Sequence, residues 1–224
     1  MAELKTETPK KSSYDVIIVG GAMYGSSVSW WLTHNPDFNG TVLVVERDPF
    51  YTACSSVHTN SCIRQQFSAP INIKISQFGA EFVHNFREYM GNDERVPQPL
   101  IHSFGYMYMA GNEQSAAILQ ECQQIQASCG AATRHMMPEE IAAEYPFYNL
   151  DGVVAANHNK INEGYFDGAT LFDWWRRKAR ENGAEFVGNE VVAMTKNAAG
   201  TRVESVTLKS GEVISCGKVV NASG

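Results

Sequence analysis

A glycine-rich turn near the N-terminus constrains the fold of this chain more than any other segment. Residues 14–20 (YDVIIVG) form a short run rich in β-branched residues and closed by glycine, which is typical of a buried strand. The turn GGAMYG follows at once, and small residues at helical spacing then predict a helix over 22–32. A second apolar run, 41–46, predicts another strand. Strand, helix and strand in about thirty residues make a βαβ unit, so a parallel sheet is expected.

The turn is suited to hold a pyrophosphate. Gly20 permits the tight turn, a small residue at position 22 lets backbone N–H groups approach a phosphate, and Gly25 lets the helix pack closely on the strand. The first helical turn adds N–H donors and the positive end of the helix dipole. An alanine stands where glycine is usual, which leaves slightly less room. The residues of this turn expected to contact a bound dinucleotide are Gly20, Gly21, Ala22, Met23, Tyr24 and Gly25.

Glu46, at the end of the second predicted strand, indicates which dinucleotide fits. Its carboxylate can accept protons from both hydroxyls of an unphosphorylated ribose and would repel a 2′-phosphate, which argues against NADP. The turn by itself does not separate FAD from NAD. A glycine-rich βαβ turn in a fold that binds no dinucleotide is disfavoured because strand, turn, helix and acid occur together.

Composition and charge exclude several classes of protein. A hydrophobic share of 44% with 19% charged residues is typical of a soluble α/β protein, and the net charge of -6 disfavours binding to nucleic acid or to an anionic membrane. Five cysteines without a C-x-x-C pair indicate neither a disulfide framework nor a zinc site. No metal is expected. No segment approaches the ~18 apolar residues of a membrane span, and a cytoplasmic location is expected.

Beyond these features, the chain resembles the D-amino-acid oxidase and sarcosine oxidase superfamily of flavoenzymes. The motifs that carry the resemblance are VIIVGGAMYGSS, VVERDP after the second strand and the terminal VVNASG. The segment INEGYFDGATLFDWWRRKARENGAEF occupies the place of a motif, helix and strand that lead back into the FAD domain of that family. ERDP and RQQFS are most similar to the branch of the mitochondrial complex I assembly flavoprotein.

The resemblance implies an α/β fold with FAD as cofactor. The larger part would be a Rossmann-like FAD-binding domain. A smaller substrate domain, inserted into it, would be the α+β part of the chain and would consist of a mixed or antiparallel sheet plus helices. We expect residues 1–13 to be a disordered tail, 14–95 and 168–224 the FAD-binding domain, and 96–167 part of the substrate domain. Because family members continue well beyond the VVNASG strand, the chain is expected to lack a C-terminal segment that completes the FAD site and the substrate pocket.

The resemblance also implies further cofactor contacts. Glu46 would bind the adenosine ribose, Val192 the adenine through its backbone, and the loop that begins at Ser55 would run beside the flavin. The other implied cofactor contacts are Arg47, Ser56, His58, Ala222, Ser223 and Gly224.

Two residues are candidates for the chemistry. His58 lies where dimethylglycine and sarcosine dehydrogenases carry a covalently flavinylated histidine, but the Trp of their motif is missing, so a non-covalent histidine is favoured. Arg64, in IRQQF, resembles the arginine that holds the substrate carboxylate in monomeric sarcosine oxidase, a task that suits a planar guanidinium. The alternative for Arg64 is an ordinary surface or phosphate-binding arginine.

These features together predict an enzyme that oxidises a secondary or tertiary amine or an amino acid, of sarcosine or dimethylglycine type, to an imine by hydride transfer to FAD. Its partners would be that small molecule and an electron acceptor, either oxygen or a protein. The alternative is a flavin-bearing assembly or interaction factor without turnover, and an NAD-linked dehydrogenase is a third possibility.

Overall fold

The computed structural model describes residues 6–224, which form two compact units of mixed α/β structure. The first unit comprises the described residues up to Thr59 together with Gly168–Gly224, and the second comprises Asn60–Asp167. The α/β class predicted from the sequence is confirmed.

Within residues 6–224 the helices and strands follow one another in a largely alternating order. They are β1 (Ser13–Val19), α1 (Met23–His34), β2 (Val42–Glu46), β3 (Cys62–Ile63), α2 (Pro70–His84), α3 (Phe86–Tyr89), β4 (Tyr106–Ala110), α4 (Glu113–Ser128), β5 (Arg134–Met136), α5 (Pro138–Glu144), β6 (Ala155–Asn159), β7 (Gly164–Tyr165), α6 (Gly168–Glu181), β8 (Glu185–Gly188), β9 (Val191–Lys196), β10 (Val203–Leu208) and β11 (Val213–Asn221).

The first unit contains a six-stranded sheet in the order β8-β2-β1-β11-β10-β9. The four strands from β8 to β11 are mutually parallel, as the βαβ pattern predicts, whereas β10 and β9 are antiparallel to their neighbours. Strand β11 belongs to both parts: residues 213–215 pair with β10, and residues 215–221 pair with β1.

The parallel strands are covered on both faces. On one face, Ile18 and Val44 lie toward α1 and the turn before it. A Cβ built on Gly25 would lie 3.3 Å from a methyl group of Ile18, and a Cβ built on Gly21 would lie 3.3 Å from a methyl group of Val44. Helix α1 in turn packs against α6. On the other face, side chains of the parallel strands share one buried cluster with β10, which explains why these short runs are apolar throughout. That cluster consists of Tyr14, Ile17, Leu43, Val45, Val187, Val206, Leu208, Ile214 and Cys216.

The second unit is built around a three-stranded antiparallel sheet in the order β4-β6-β5. Helix α4 packs on β4 and β6 through small residues, Ala110, Ala116 and Ala155. The short strands β3 and β7 pair with each other, which joins the segment before α2 to the segment after β6.

The boundary between the units differs from the expected domain boundary at residues 95 and 96. Residues 60–95 lie in the second unit because β3 pairs with β7 and because Gln77 of α2 donates a hydrogen bond of 3.0 Å to the Cys129 carbonyl after α4. Two-residue strands and side-chain contacts of this kind leave no periodic signal in the sequence.

Residues 6–12, the described part of the expected disordered tail, are instead held by hydrogen bonds. The backbone N–H of Glu7 donates to the Gly188 carbonyl at 2.9 Å, and the Glu7 carboxylate accepts from the Gly188 N–H at 2.7 Å. Lys10 N–H donates to the Glu185 carboxylate at 2.8 Å. Residues 7–10 thus lie along β8, an edge strand whose outer backbone groups need partners, and residues 1–5 lie outside the described residues. Across residues 6–224, the helices are too short or too polar to span a bilayer.

Candidate functional site

The glycine-rich turn connects β1 to α1 as the sequence predicts. Gly20 adopts φ +94°, a left-handed conformation that favours glycine, and its N–H donates to the Val45 carbonyl at 2.8 Å. Ala22 precedes the helix, and its methyl group cannot cap the first-turn N–H groups. The Met23 N–H lies 3.4 Å from the Ser56 hydroxyl oxygen, which places the loop of Ser55 and Ser56 beside the N-terminus of α1.

Two glycines of the turn occupy positions that no other residue could take. A Cβ on Gly25 would lie 1.8 Å from the Gly20 carbonyl oxygen, so α1 approaches the turn more closely than any side chain allows. A Cβ on Gly20 would lie 2.5 Å from the Ala222 carbonyl oxygen. The turn, α1 and the residues after β11 therefore converge at one place, and we call this convergence the cradle.

Glu46 contacts the cradle directly. Its Oε2 accepts the Gly21 N–H at 2.7 Å and its Oε1 accepts the Asp48 N–H at 2.8 Å. A carboxylate oxygen has more than one lone pair, so both oxygens can accept a further donor such as a ribose hydroxyl.

Tyr51 supports the cradle, although no motif in the sequence points to it. The side chain is 6% exposed, and its hydroxyl donates to the Gly21 carbonyl at 3.1 Å. The Arg176 guanidinium lies over the ring at 5.2 Å, and Phe172 packs edge-on at 5.1 Å. Burial raises the pKa of Tyr51, so the hydroxyl keeps its proton and remains a donor at neutral pH. The turn signal Asp48-Pro49 marks a change of direction here, but nothing in the sequence distinguishes a buried Tyr51 from Phe50, which is exposed.

His58 lies at the surface of the loop that follows. Its Nε2 is 2.8 Å from the Thr52 carbonyl oxygen, an arrangement that makes Nε2 the donor and leaves Nδ1 without a proton when the ring is neutral. Asp48 shapes the start of the loop by accepting from the Thr52 hydroxyl and the Ala53 N–H at 2.8 and 3.1 Å.

The remaining expected cofactor contacts of the first unit lie at the ends of strands. Ala222 follows β11, and its N–H donates to the Val19 carbonyl at 2.8 Å. The Ser223 hydroxyl donates to Asn221 Oδ1 at 2.7 Å. Val192 lies in β9 with its side chain 57% exposed. It follows Asn189, whose N–H donates to the Glu46 carbonyl at 2.9 Å.

Tyr24, Arg47 and Gly224, three further residues that are predicted to contact the cofactor, are exposed. Tyr24 is 77% exposed and lines a shallow depression with Val28 of α1, Val220 of β11 and the terminal Gly224. Arg47, which follows Glu46, is also exposed.

Arg64 lies in the second unit, next to β3. Its guanidinium carbon is 4.7 Å from the centroid of the Phe67 ring and 5.7 Å from that of Tyr108. Its Nε is buried and makes no hydrogen bond with any residue of the range 6–224. A buried donor without a partner costs about 1–3 kcal/mol, and this favours a site that an anionic ligand completes.

The residues of the first unit fit FAD. Gly20, Gly25 and Ala222 leave a turn with no room for side chains, and the N-terminus of α1 points N–H groups toward it. Glu46 provides an acceptor beside the turn. The structure thus brings the turn, Glu46, Ser56 and residues 222–223 together in one unit, while Arg64 belongs to the other.

Known proteins match the chain over nearly its full length. It is 36% identical over 230 residues to FAD-dependent oxidoreductase domain-containing protein 1 of Xenopus laevis, covering 94% of this chain and 46% of that protein. It is 35% identical over 235 residues to the Bos taurus protein of the same name, covering 96% and 48%. The chain therefore spans about half the length of the curated relatives it matches.

Solved structures show the same fold. The L-proline dehydrogenase from P. horikoshii superposes with a TM-score of 0.77 at 24% identity, over 97% of this chain and 54% of that one. The glycine oxidase from Geobacillus kaustophilus gives a TM-score of 0.73 at 18% identity, over 96% and 56%. The family described as FAD dependent oxidoreductase (DAO) matches residues 15–224. The chain belongs to this DAO family of FAD-dependent oxidoreductases, and the cofactor of the family, FAD, is the one that the sequence predicts.

Proposed function

We propose that this protein oxidises the carbon–nitrogen bond of a small secondary or tertiary amine or amino acid that carries a carboxylate, of sarcosine or dimethylglycine type, to an imine that water then hydrolyses. Bound FAD supplies the chemistry by accepting a hydride equivalent from the carbon next to the substrate nitrogen. The observation that carries the proposal is the buried Arg64 Nε without a hydrogen-bond partner among the described residues.

Arg64 suits a carboxylate by geometry and by charge. A guanidinium presents its N–H donors in a planar fork that matches two carboxylate oxygens. Stacking on Phe67 restricts the plane of that fork before any ligand binds, so less side-chain entropy is lost on binding. Two proteins with the same fold, an L-proline dehydrogenase and a glycine oxidase, are named for amino acids, and this supports the same class of substrate here.

The cradle would hold FAD through backbone and carboxylate groups. The N–H groups of residues 21–25 would face the pyrophosphate, Glu46 the ribose, and the backbone of Val192 the adenine. Arg47, Ser55, Ser56, His58, Ala222, Ser223 and Gly224 would contact the rest of the cofactor. Reduced flavin would pass its electrons to oxygen or to an acceptor protein.

The test is anaerobic bleaching of the flavin absorbance in the purified FAD-bound protein. Sarcosine, dimethylglycine, L-proline and glycine are compared with dimethylamine, trimethylamine and pyrrolidine, which lack the carboxylate. We expect bleaching by at least one carboxylate substrate, and Arg64→Gln should lower kcat/KM for it roughly 10- to 100-fold, the worth of a charged hydrogen bond. The control is Arg134→Gln, an exposed arginine of the same unit that pairs with Glu144 at 2.6 Å. Absence of bleaching with every compound would support the flavin-bearing factor without turnover instead.

A further inference from the structure

A fully buried carboxylate lies beside the segment that carries Arg64. Glu163, just before β7, is 0% exposed. Its Oε1 accepts the Gln65 N–H at 2.7 Å and an Asn159 Nδ2–H at 3.0 Å, and its Oε2 accepts a Gln66 Nε2–H at 2.8 Å. Burying a carboxylate is costly unless hydrogen bonds compensate for the lost water, and three donors do so here.

These contacts fix the backbone of Arg64 from both sides. On its N-terminal side, Ile63 pairs with Gly164 in the β3–β7 ladder. On its C-terminal side, the Gln65 N–H binds the Glu163 carboxylate. The two neighbours of Arg64 are therefore held by two consecutive residues, Glu163 and Gly164.

The segment that provides these two anchors is itself closely packed. A Cβ on Gly164 would lie 1.9 Å from the His102 carbonyl oxygen, and the next residue, Tyr165, accepts the His102 N–H at 2.8 Å. Gln66 extends the same network, since its Nε2 also donates to the Tyr106 carbonyl at 2.9 Å. A change at Glu163 would thus be felt first by residues 64–66.

We propose that Glu163 is a positioning residue for Arg64: its buried carboxylate fixes residues 64–66 and so directs the Arg64 guanidinium, which would bind the substrate carboxylate. The second half of this statement rests on the proposed function of Arg64. A neutral glutamine cannot replace Glu163, because its amide NH₂ would face a donor, either Gln66 Nε2 or the Gln65 N–H. Glu163 is 0% exposed and all three of its hydrogen bonds are to residues of its own unit, so it acts through the chain and does not itself contact the ligand.

The first experiment measures the NMR signal of Arg64 itself, before any ligand is added. In the FAD-bound protein labelled with ¹⁵N-arginine, the Arg64 Nε–H signal is assigned by its absence in Arg64→Lys. Glu163→Gln should move this signal toward the position of exposed arginines. The matched control is Asn157→Ser: Asn157 is a buried amide of β6 in the same unit, and its side chain hydrogen-bonds to the Leu119 carbonyl and His135, not to residues 64–66.

The second readout is binding of anthranilate, a fluorescent aromatic carboxylate, against aniline, which lacks the carboxylate. Glu163→Gln should raise the Kd for anthranilate about tenfold or more, the loss expected when a charged hydrogen bond is misaligned, and should leave the Kd for aniline unchanged. An unmoved Arg64 signal in Glu163→Gln, or an equal movement in Asn157→Ser, overturns the proposal. If anthranilate fails to bind the wild-type protein while Glu163→Gln still moves the Arg64 signal, the carboxylate role of Arg64 is wrong and its positioning by Glu163 stands.

Discussion

The hydroxyl of Tyr51 donates a 3.1 Å hydrogen bond to the carbonyl oxygen of Gly21, the residue whose N–H is bound by Glu46 at 2.7 Å. Both polar backbone groups of Gly21 are thus held by side chains, one from the last residue of β2 and one from the segment after it. The cradle is fixed from outside the turn as well as by its own glycines.

Tyr51→Phe removes the hydroxyl and keeps the ring between Arg176 and Phe172. We expect the free energy of unfolding to fall by about 1 kcal/mol, because the Gly21 carbonyl loses a buried partner, and FAD to bind more weakly. Urea unfolding and titration of FAD by flavin fluorescence measure the two effects. Unchanged FAD affinity in Tyr51→Phe would show that the turn needs no support from this side chain.

Gly25→Ala should abolish FAD binding. The added Cβ would collide with the Gly20 carbonyl oxygen, so either the turn or α1 must move, at a cost of about 1–3 kcal/mol in stability. The control is Gly79→Ala in α2, where the new Cβ meets only Ile63 Cδ1 at 3.6 Å and the helix should gain about 0.5–1 kcal/mol. The ratio of flavin to protein absorbance after purification distinguishes the two variants, and a yellow Gly25→Ala protein would contradict the prediction.

Glu46→Gln should weaken FAD binding roughly 10- to 100-fold, because one oxygen that accepts a backbone N–H becomes an NH₂ group and the charge is lost. Glu204→Gln, an exposed glutamate of β10, is the control. The Kd for FAD, measured by fluorescence quenching, decides the result. Equal Kd values for the two variants would remove Glu46 from the site.

His58 is expected to contact FAD without a covalent bond. Acid precipitation of the FAD-bound protein should therefore release all of the flavin into the supernatant. Yellow colour retained in the pellet of wild-type protein, and lost in His58→Ala, would instead establish a covalent link through this histidine. His84, whose Nε2 binds Asn162 Oδ1 at 2.8 Å in the second unit, provides the control substitution.

Tyr14 makes stability depend on pH in the alkaline range. Burial and its hydrogen bond to Glu185, 2.6 Å long, raise the pKa of Tyr14 from 10.0 to about 12. Because the pKa is higher in the folded state, the stabilisation is fully present below pH 10 and is lost as the pH rises through about 12. The difference in unfolding free energy between wild type and Tyr14→Phe should shrink over that range, and a difference that stays constant across it would contradict the prediction.

The first unit could be predicted well from the sequence because its elements follow local rules. The sequence also predicts a helix over 168–181, ended by Asn182 and Gly183, and a strand over 213–221 after the turn at 209–211, and both have the observed bounds. The bounds of β1, α1 and β2 differ from the predicted ones by a few residues at most. Glycine turns and β-branched runs determine these elements locally, so contacts with residues distant in sequence change their bounds little.

The second unit was harder to predict because its elements depend on contacts distant in sequence. Apolar residues that step by three and four after Pro70 predict a single helix up to Gly91, but the structure breaks this helix at Asn85. The predicted apolar face includes Ile71, Ile75 and Phe78, which are exposed, whereas Ile73 is buried. Helix α5 and the strands β3 and β7 were not predicted, since elements of two to seven residues carry too little periodicity.

The residues of the candidate site divide in the same way, into those that the sequence reveals and those that it does not. The glycine turn and Glu46 are visible in the sequence because their role depends on spacing along the chain. Tyr51 and Glu163 were missed because their roles come from burial and from partners distant in sequence, Gly21 and Gln65.

Strand β11 determines when the cradle can form during synthesis. β1 emerges from the ribosome early, yet its partner strand β11 and Ala222, whose N–H donates to the Val19 carbonyl, are made much later. Pairing of residues so distant in sequence is slow and leaves apolar strands exposed meanwhile. A nascent chain halted before β11 would contain the whole glycine turn but could not complete the cradle. The dependence of folding on chaperones should therefore be greatest just before translation reaches that strand.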